Sequence, residues 1–298
     1  MKTSLVVPAY NEEMGLPLVV QEYRDVVDEI IVVDDGSSDG TYQAAELLAG
    51  SKIKLLRHKK NAGKVAALRT GVEHATGDII IFTDADYTYP ARYVPDLIRE
   101  IEGGADLVLG ARLHDRDNIP AFNRIGNNIF SFIATYISCM RIKDSQTGLR
   151  AFRRDMFDKL DVEARGLEFE TKMTVRAAKL GYKIVEIPIE YRERVGKSKL
   201  NPFKDGARML TALFSVAYSE TSLLSKMILL PSMIFILIGL ITGFISLYEK
   251  ITFGVISHEY YPIFTAFLIL VGVQLISLGL IVDYLTKKLD RIEERLVR

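Results

Sequence analysis

Two stretches near the C-terminus restrict this chain more than any other feature. From Met227 to Tyr248, "MILLPSMIFILIGLITGFISLY", and from Tyr261 to Val282, "YPIFTAFLILVGVQLISLGLIV", no side chain carries a charge. As a helix rising ~1.5 Å per residue, each run would be on the order of 30 Å long, the thickness of a bilayer's hydrocarbon core. Helices buried in a soluble core would want polar faces where they met water, so two transmembrane helices are expected over 224–286. The tail beyond them, "TKKLDRIEERLVR", carries five Lys and Arg, whereas the link between the runs, "EKITFGVISHEY", has one Lys. Positive charge stays on the cytoplasmic side. The expectation is therefore a multi-pass cell-membrane protein with a basic cytoplasmic tail at 287–298 and with both termini and the soluble part in the cytoplasm. The opening "MKTSLVVPAYNEE" reads as a strand and loop, without the apolar region and small-residue cleavage site of a signal peptide. Cys139 is the single cysteine, so no intramolecular disulfide is expected. Lys plus Arg and Asp plus Glu both number 38. With no basic stripe interleaved with aromatics, nucleic acid is not an expected partner.

The first half alternates. "SLVVPAY", "EIIVVDD", "KIKLLRH", "DIIIFTD" and "ADLVLGA" are short, apolar and mostly β-branched, and the segments between them carry apolar residues at helical spacing, as at Val65, Leu68 and Val72. The pattern predicts a Rossmann-like α/β domain with a mostly parallel sheet covered on both faces. Further on, helices are expected from about Phe122 to Cys139 and from Glu170 to Leu180, and a strand in "KIVEIPIEYRER". Residues 201–223 predict an amphipathic juxtamembrane helix, with Phe203, Ala207, Leu210, Phe214 and Ala217 on one face. Such a helix lies in the membrane interface or packs on the soluble domain, assigned here to 1–200.

Ligands of such sheets bind at the carboxyl ends of the strands. Asp34 and Asp35 end one strand, and Asp84 and Asp86 end "IIIFTDAD". The turn after the first strand, "PAYNEE", is not a GxGxxG, and no Walker lysine loop is present. Two carboxylates one residue apart, without His or Cys beside them, suit a hard oxygen-liganded ion, Mg2+ or Mn2+, better than Zn2+. A helix N-cap before the following helix remains the structural alternative.

The motifs "VVPAYNEE", "EIIVVDDGSSDGT", "NAGKVAALRTGVEHATGD", "TDAD", "LGAR", "DSQTGLRAFRR" and "GKSKL", in this order, resemble the family 2 glycosyltransferases of the GT-A fold. Within them the chain is similar to the dolichyl- and polyprenyl-phosphate sugar synthases. That resemblance implies a GT-A domain that transfers a hexose from a nucleotide sugar to a membrane polyprenyl phosphate, with inversion and with a divalent metal. It implies that Pro8, Tyr10, Glu12, Val33 and Asp35 line the nucleotide pocket, and that Asp84, Ala85 and Asp86 surround the ribose and diphosphate. Asp86 is implied as metal ligand with Asp84, and Arg112 and Arg124 as acceptor-phosphate contacts. Lys199 is implied on the donor side, and Arg194 and Glu170 on the acceptor side, with Lys64, Arg192 and Glu168 as further candidates.

Two departures stand out. Thr88 occupies the place where mannose synthases carry a metal-coordinating Gln, which makes it a weaker candidate ligand and tilts the donor toward a UDP-sugar over GDP-mannose. Arg194 lies one residue nearer Gly196 than the loop motif has it. A processive polysaccharide synthase is the neighbouring reading, but it would carry a Gln-x-x-Arg-Trp motif and more spans, and the chain has no Trp. A non-catalytic nucleotide-binding membrane scaffold is the other. Gly239 and Gly243 form a small-xxx-small pattern through which two copies could pair as a homo-oligomer.

Overall fold

Five short, mostly apolar runs become strands: β1 (Thr3–Ala9), β2 (Glu29–Asp34), β3 (Ile53–Arg57), β4 (Ile79–Phe82) and β5 (Leu107–Arg112). Two more follow, β6 (Arg150–Arg153) and β7 (Ile184–Ile189). In this computed structural model, which describes residues 1–297 apart from 115, 161, 163–165, 167, 197–210, 213, 214, 217, 219 and 220, the seven form one sheet of order β3-β2-β1-β4-β6-β5-β7. Only β6 is antiparallel, to β4 and to β5. The chain runs outward from β1 through β2 to β3 and then returns to place β4 on the other side of β1. That reversal opens a crevice at the carboxyl ends of β1 and β4, where α/β sheets bind ligands.

The helices connecting the strands are α1 (Gly15–Tyr23), α2 (Thr41–Leu48), α3 (Lys64–His74) and α4 (Val94–Glu102), followed by α5 (Ala121–Ser138), α6 (Arg154–Leu160) and α7 (Phe169–Lys179). Alternate residues of β1 serve opposite layers: Leu5, Val7 and Ala9 pack with Leu16, Val20, Leu97 and Ile101, while Val6 packs with Val65, Leu68, Met156 and Phe169. Both faces of the central strands are thus dry. A third cluster joins Phe130, Ala134 and Ile137 of α5 to Val175, Ala212 and Val216.

The chain divides into two compact units, Met1–Val216 and Ala217–Arg298. The first reaches past the boundary that sequence placed at residue 200, because Ala212 and Val216 are buried in it. The expected apolar face of the juxtamembrane helix, Phe203, Ala207, Leu210, Phe214 and Ala217, lies outside the described residues. The second unit is a hairpin of α8 (Leu223–Phe253) and α9 (Tyr261–Val297). Both are long and apolar enough to cross a membrane, with mean hydropathy 2.5 and 2.4 over their spans, and 17% of each most apolar stretch is buried. Ser222 caps α8 by accepting from the Ser225 amide at 3.2 Å, and Asp283 accepts from the Ser222 amide at 2.8 Å. Gly239 and Gly243 turn inward: a Cβ on Gly239 would lie 2.9 Å from Ile269 Cγ1, and one on Gly243 3.0 Å from Thr265 Cγ2. The small-residue pattern serves this hairpin.

Candidate active site

At the tip of β4 the chain leaves the sheet as Thr83-Asp84-Ala85-Asp86, and Tyr87 takes a left-handed conformation at φ 65°. This reversal brings both carboxylates toward the crevice. Lys64, the first residue of α3, reaches Asp84 Oδ1 at 2.6 Å and Glu170 Oε1, in the first turn of α7, at 2.8 Å. Burial would lower the Lys64 pKa, but the Asp84 and Glu170 charges outweigh it and raise it. Burial would likewise push Asp84 up, and the Lys64 ammonium, with Arg112 and Arg194, holds its carboxyl below the usual carboxylate range. Asp86 goes the other way: burial and then the Asp84 charge push it up, against its bonds to Thr88 and the pull of Arg194. The two neighbouring carboxyls are thus pushed in opposite directions, Asp84 down and Asp86 up.

Around Asp86 the supports are local. The Thr88 hydroxyl donates to Asp86 Oδ1 at 2.7 Å and is itself buried, so it orients the carboxylate from behind. Arg194 lies 3.3 Å from Asp86 Oδ2 and also pairs with Glu12. Sequence placed Arg194 at the acceptor phosphate; its contacts are on the side of Asp86 and Glu12. Backbone bonds Arg192 N to Thr88 O at 3.0 Å and Val195 N to Asp86 O at 3.1 Å lay this segment over the carboxylate turn. The Arg192 guanidinium forks onto Glu22 at 2.8 and 2.9 Å. Lys199 lies outside the described residues. Gly148 passes so close to Asp84 that a Cβ there would collide with its carboxylate.

The nucleotide-side candidates divide. Tyr10 is 38% exposed at the end of β1, and Pro8 pairs in register with Val33. Val33 itself is fully buried under α3. Asp35 is also buried: its oxygens accept from the Ala62 and Gly63 amides at 2.9 and 2.7 Å, and His58 Nδ1 lies 2.7 Å away. The carboxylate expected to meet a base is engaged in holding the loop that leads into Lys64. Beside it an open depression is lined by Gly36, Ser37, Arg57, His58 and Lys59.

Arg112, at the end of β5, meets Asp144 twice, Nε to Oδ2 at 2.7 Å and Nη2 to Oδ1 at 2.8 Å, while its own amide donates to Oδ2 at 3.0 Å. Asp144 is held in turn by Glu186 of β7, which accepts from the Lys143 and Asp144 amides at 2.9 and 3.0 Å. Burial raises Glu186 despite those amides. The Asp144 carboxyl would also be raised by burial, but Arg112 keeps it low. A pocket opens in front of Arg112, with Arg124, Asn127, Asn128 and Lys143 in its walls. The structure thus brings the two expected arginines together and adds Lys143 and two amides that sequence did not single out. Arg124 is half-buried, and its guanidinium pairs with the fully exposed Asp117 at 2.9 Å among the described residues. Glu168 precedes α7 as its N-cap residue without a capping side-chain bond.

The donor set fits a hard divalent ion. Among the described residues no three His, Cys, Asp or Glu side chains gather into a complete metal cage. Two carboxylates that leave coordination positions to phosphate oxygens are the usual arrangement for Mg2+.

Comparison with known proteins identifies the fold and the family. Residues 4–161 match the glycosyl transferase family 2 domain. The chain is 32% identical to a dolichyl-phosphate hexose transferase of Haloferax volcanii, over 73% of this chain and 94% of that one. It is 29% identical to a polyprenol monophosphomannose synthase of Mycolicibacterium smegmatis, over 72% and 86%. Among solved structures, glucosyl-3-phosphoglycerate synthase from Mycobacterium tuberculosis, in complex with Mn2+, uridine diphosphate and glucosyl-3-phosphoglycerate, superposes with a TM-score of 0.58 at 22% identity, covering 74% of this chain and 79% of that one. The fold is GT-A-like, and the chain belongs to glycosyl transferase family 2.

Proposed function

We propose that the protein transfers a hexose from a nucleoside-diphosphate sugar to a membrane polyprenyl phosphate. The observation that carries this reading is the juxtaposition of two opposite sites: the Asp84–Asp86 turn, and the Arg112–Arg124 pocket beside it. They are close enough for Arg112 to help hold the Asp84 carboxyl down. One side suits a metal with a diphosphate, the other a second anion. The relatives named for dolichyl-phosphate and polyprenol substrates support a lipid phosphate as that anion.

In this mechanism Asp86 and Asp84 hold Mg2+ or Mn2+, with Thr88 orienting Asp86. Such an ion, when held by these two carboxylates, would supply neutralisation of the charge that develops on the departing diphosphate. Lys64 keeps Asp84 ionised, and Glu170 fixes Lys64. Arg194 is placed to exchange Asp86 for the diphosphate when donor binds, which moves its role from the acceptor to the donor. Tyr10, Pro8, Glu12 and Ala85 border the crevice that takes the nucleoside, with Asp35 shaping its floor through the 62–63 loop and Lys199 as a further donor contact. Arg112, clamped by Asp144, presents a fixed guanidinium to the acceptor phosphate, and such a fork suits a phosphate well. An acceptor oxygen attacks the anomeric carbon as its bond to the diphosphate breaks, and the nucleoside diphosphate leaves. The donor is a UDP-hexose in preference to GDP-mannose, on the ground of Thr88. The catalytic unit and both termini are cytoplasmic by the charge distribution around α8 and α9.

Purified protein incubated with Mg2+ or Mn2+, a panel of UDP- and GDP-hexoses and a short polyprenyl phosphate tests this directly. A hexosyl-phosphoryl-polyprenol product is expected. Donor hydrolysis alone, or transfer only to acceptors without phosphate, would refute it.

A further inference from the structure

The carboxylate turn and the arginine pocket meet along one short loop, residues 144–148. At its start Asp144 grips Arg112. At its end Gly148 lies against Asp84, with no room for a Cβ between them. A loop that touches a candidate metal ligand at one end and the candidate acceptor arginine at the other fixes how far apart two anions are held. Whatever holds this loop is therefore part of the site's geometry.

One support is Arg150, which donates to the carbonyls of Ser145 and Thr147 at 3.3 and 2.7 Å. The other is Tyr89, three residues after Asp86 and only 2% exposed. Its hydroxyl accepts from the Gly148 amide at 2.7 Å. A buried phenol hydroxyl usually finds a hydrogen-bond partner, and here the partner is the amide beside Asp84. Burial raises the Tyr89 pKa, which keeps the phenol neutral. The ring meets Tyr191 edge to face, with centroids 5.4 Å apart, and the Arg112 guanidinium lies 5.3 Å over the Tyr191 ring. From α1 the Tyr23 hydroxyl donates to the Tyr89 carbonyl at 3.1 Å, so the backbone of Tyr89 is fixed as well as its side chain.

We propose that Tyr89 is a positioning residue: its hydroxyl locks Gly148 against the Asp84–Asp86 turn and thereby sets the separation between the donor's diphosphate and the acceptor's phosphate. Being buried, it touches neither substrate. The lock is a property of the folded chain; its use in catalysis rests on the transfer proposed above.

Tyr89→Phe removes the hydroxyl and keeps the ring. In the substrate-free full chain in detergent, hydrogen–deuterium exchange over residues 144–148 is expected to be several-fold faster in this variant, because the Gly148 amide loses its partner, and unchanged in β1 and β2. Tyr23→Phe also deletes a buried hydroxyl, but one not bonded to the loop, and is expected to leave exchange at 144–148 as in the parent. Equal exchange in the parent and Tyr89→Phe would overturn the lock, and so would equal acceleration by both variants, which would mean general loosening. In the transfer assay the kcat of Tyr89→Phe is expected to fall about tenfold with both KM values little changed, as misplaced rather than lost contacts give. A parental kcat alongside faster exchange would make Tyr89 a structural support only and overturn its positioning role. A parent that transfers no hexose would refute the proposed function, and exchange would still decide the lock.

Discussion

Asp86 sits in a conflict that its surroundings do not resolve: burial and the Asp84 charge favour its neutral form, while Thr88 and Arg194 favour the ion. A carboxyl whose folded pKa is raised binds its proton more tightly folded than unfolded, so its stabilising form is the protonated one and ionisation at neutral pH costs stability. Asp86→Asn is therefore expected to keep or raise the melting temperature of the metal-free protein. It should also remove a metal contact worth several kcal/mol in the transition state, which at about 1.36 kcal/mol per tenfold means a loss of about 100-fold or more in transfer rate. Thermal unfolding and a transfer assay on the same sample check both, and a variant that turned over normally would dismiss the metal assignment. Asp144 has the opposite sign. Its folded pKa is lowered, so its stabilisation is present above the unfolded value near ~3.9 and is lost as pH falls through the folded one. Asp144→Asn is expected to be clearly less stable than the parent at pH 7, and the gap should narrow on acidification below about pH 4. Melting curves across that range would show it, and a gap independent of pH would mean that the Arg112–Asp144 charge pair is not its source. The sequence pointed to Asp84, Asp86 and both arginines because their motifs are local. It could not indicate that Asp35 is spent on a loop or that Lys64 bridges two acids, since those partners come from remote segments.

Among the elements, the parallel strands were legible because each is a short, mostly apolar run. Strand β6 was not. "RAFR" offers two arginines in four residues, yet Arg150 is 1% exposed in the middle of the sheet. Its guanidinium donates to the carbonyls of Ser145, Thr147 and Glu170, the Thr147 bond being 2.7 Å long, which satisfies a buried charge that composition would assign to the surface. By the same bonds β6 ties the Asp144 loop to the start of α7, joining the two halves of the site. The helices α8 and α9 were read from composition, but the use of their small residues was not. Because Gly239 already abuts Ile269, Gly239→Leu is expected to pry the hairpin apart, at a cost of about 1–3 kcal/mol for an overpacked contact. The measurement is thermal stability in detergent alongside the oligomeric state. A change of assembly with unaltered stability would return this glycine to a contact between copies.

Taken whole, the chain joins a GT-A-like sheet to two helices long and apolar enough to cross a membrane, a combination that suits the proposed transfer of a group from a soluble carrier onto a lipid. An alcohol acceptor would need a general base to become nucleophilic. A phosphate monoester is already anionic, with a second ionisation near ~6 by analogy with phosphoserine. The site agrees with that simplification: Asp144, the acid in the wall of the arginine pocket, is bound twice to Arg112, and Glu170 is 7% exposed and bound to Lys64 at 2.8 Å, which suits positioning better than proton abstraction. Transfer is therefore expected as a single displacement with inversion, without a sugar bound covalently to a side chain. An α-linked donor should give a β-linked lipid phosphate sugar, readable from the anomeric proton coupling of a gluco-configured product. With saturating donor, the rate should fall as pH drops through about 6, because the dianion is both the better nucleophile and the better partner for Arg112 and Arg124. An α-linked product would require two successive displacements, and hence a carboxylate nucleophile that this reading of Glu170 and Asp84 does not provide.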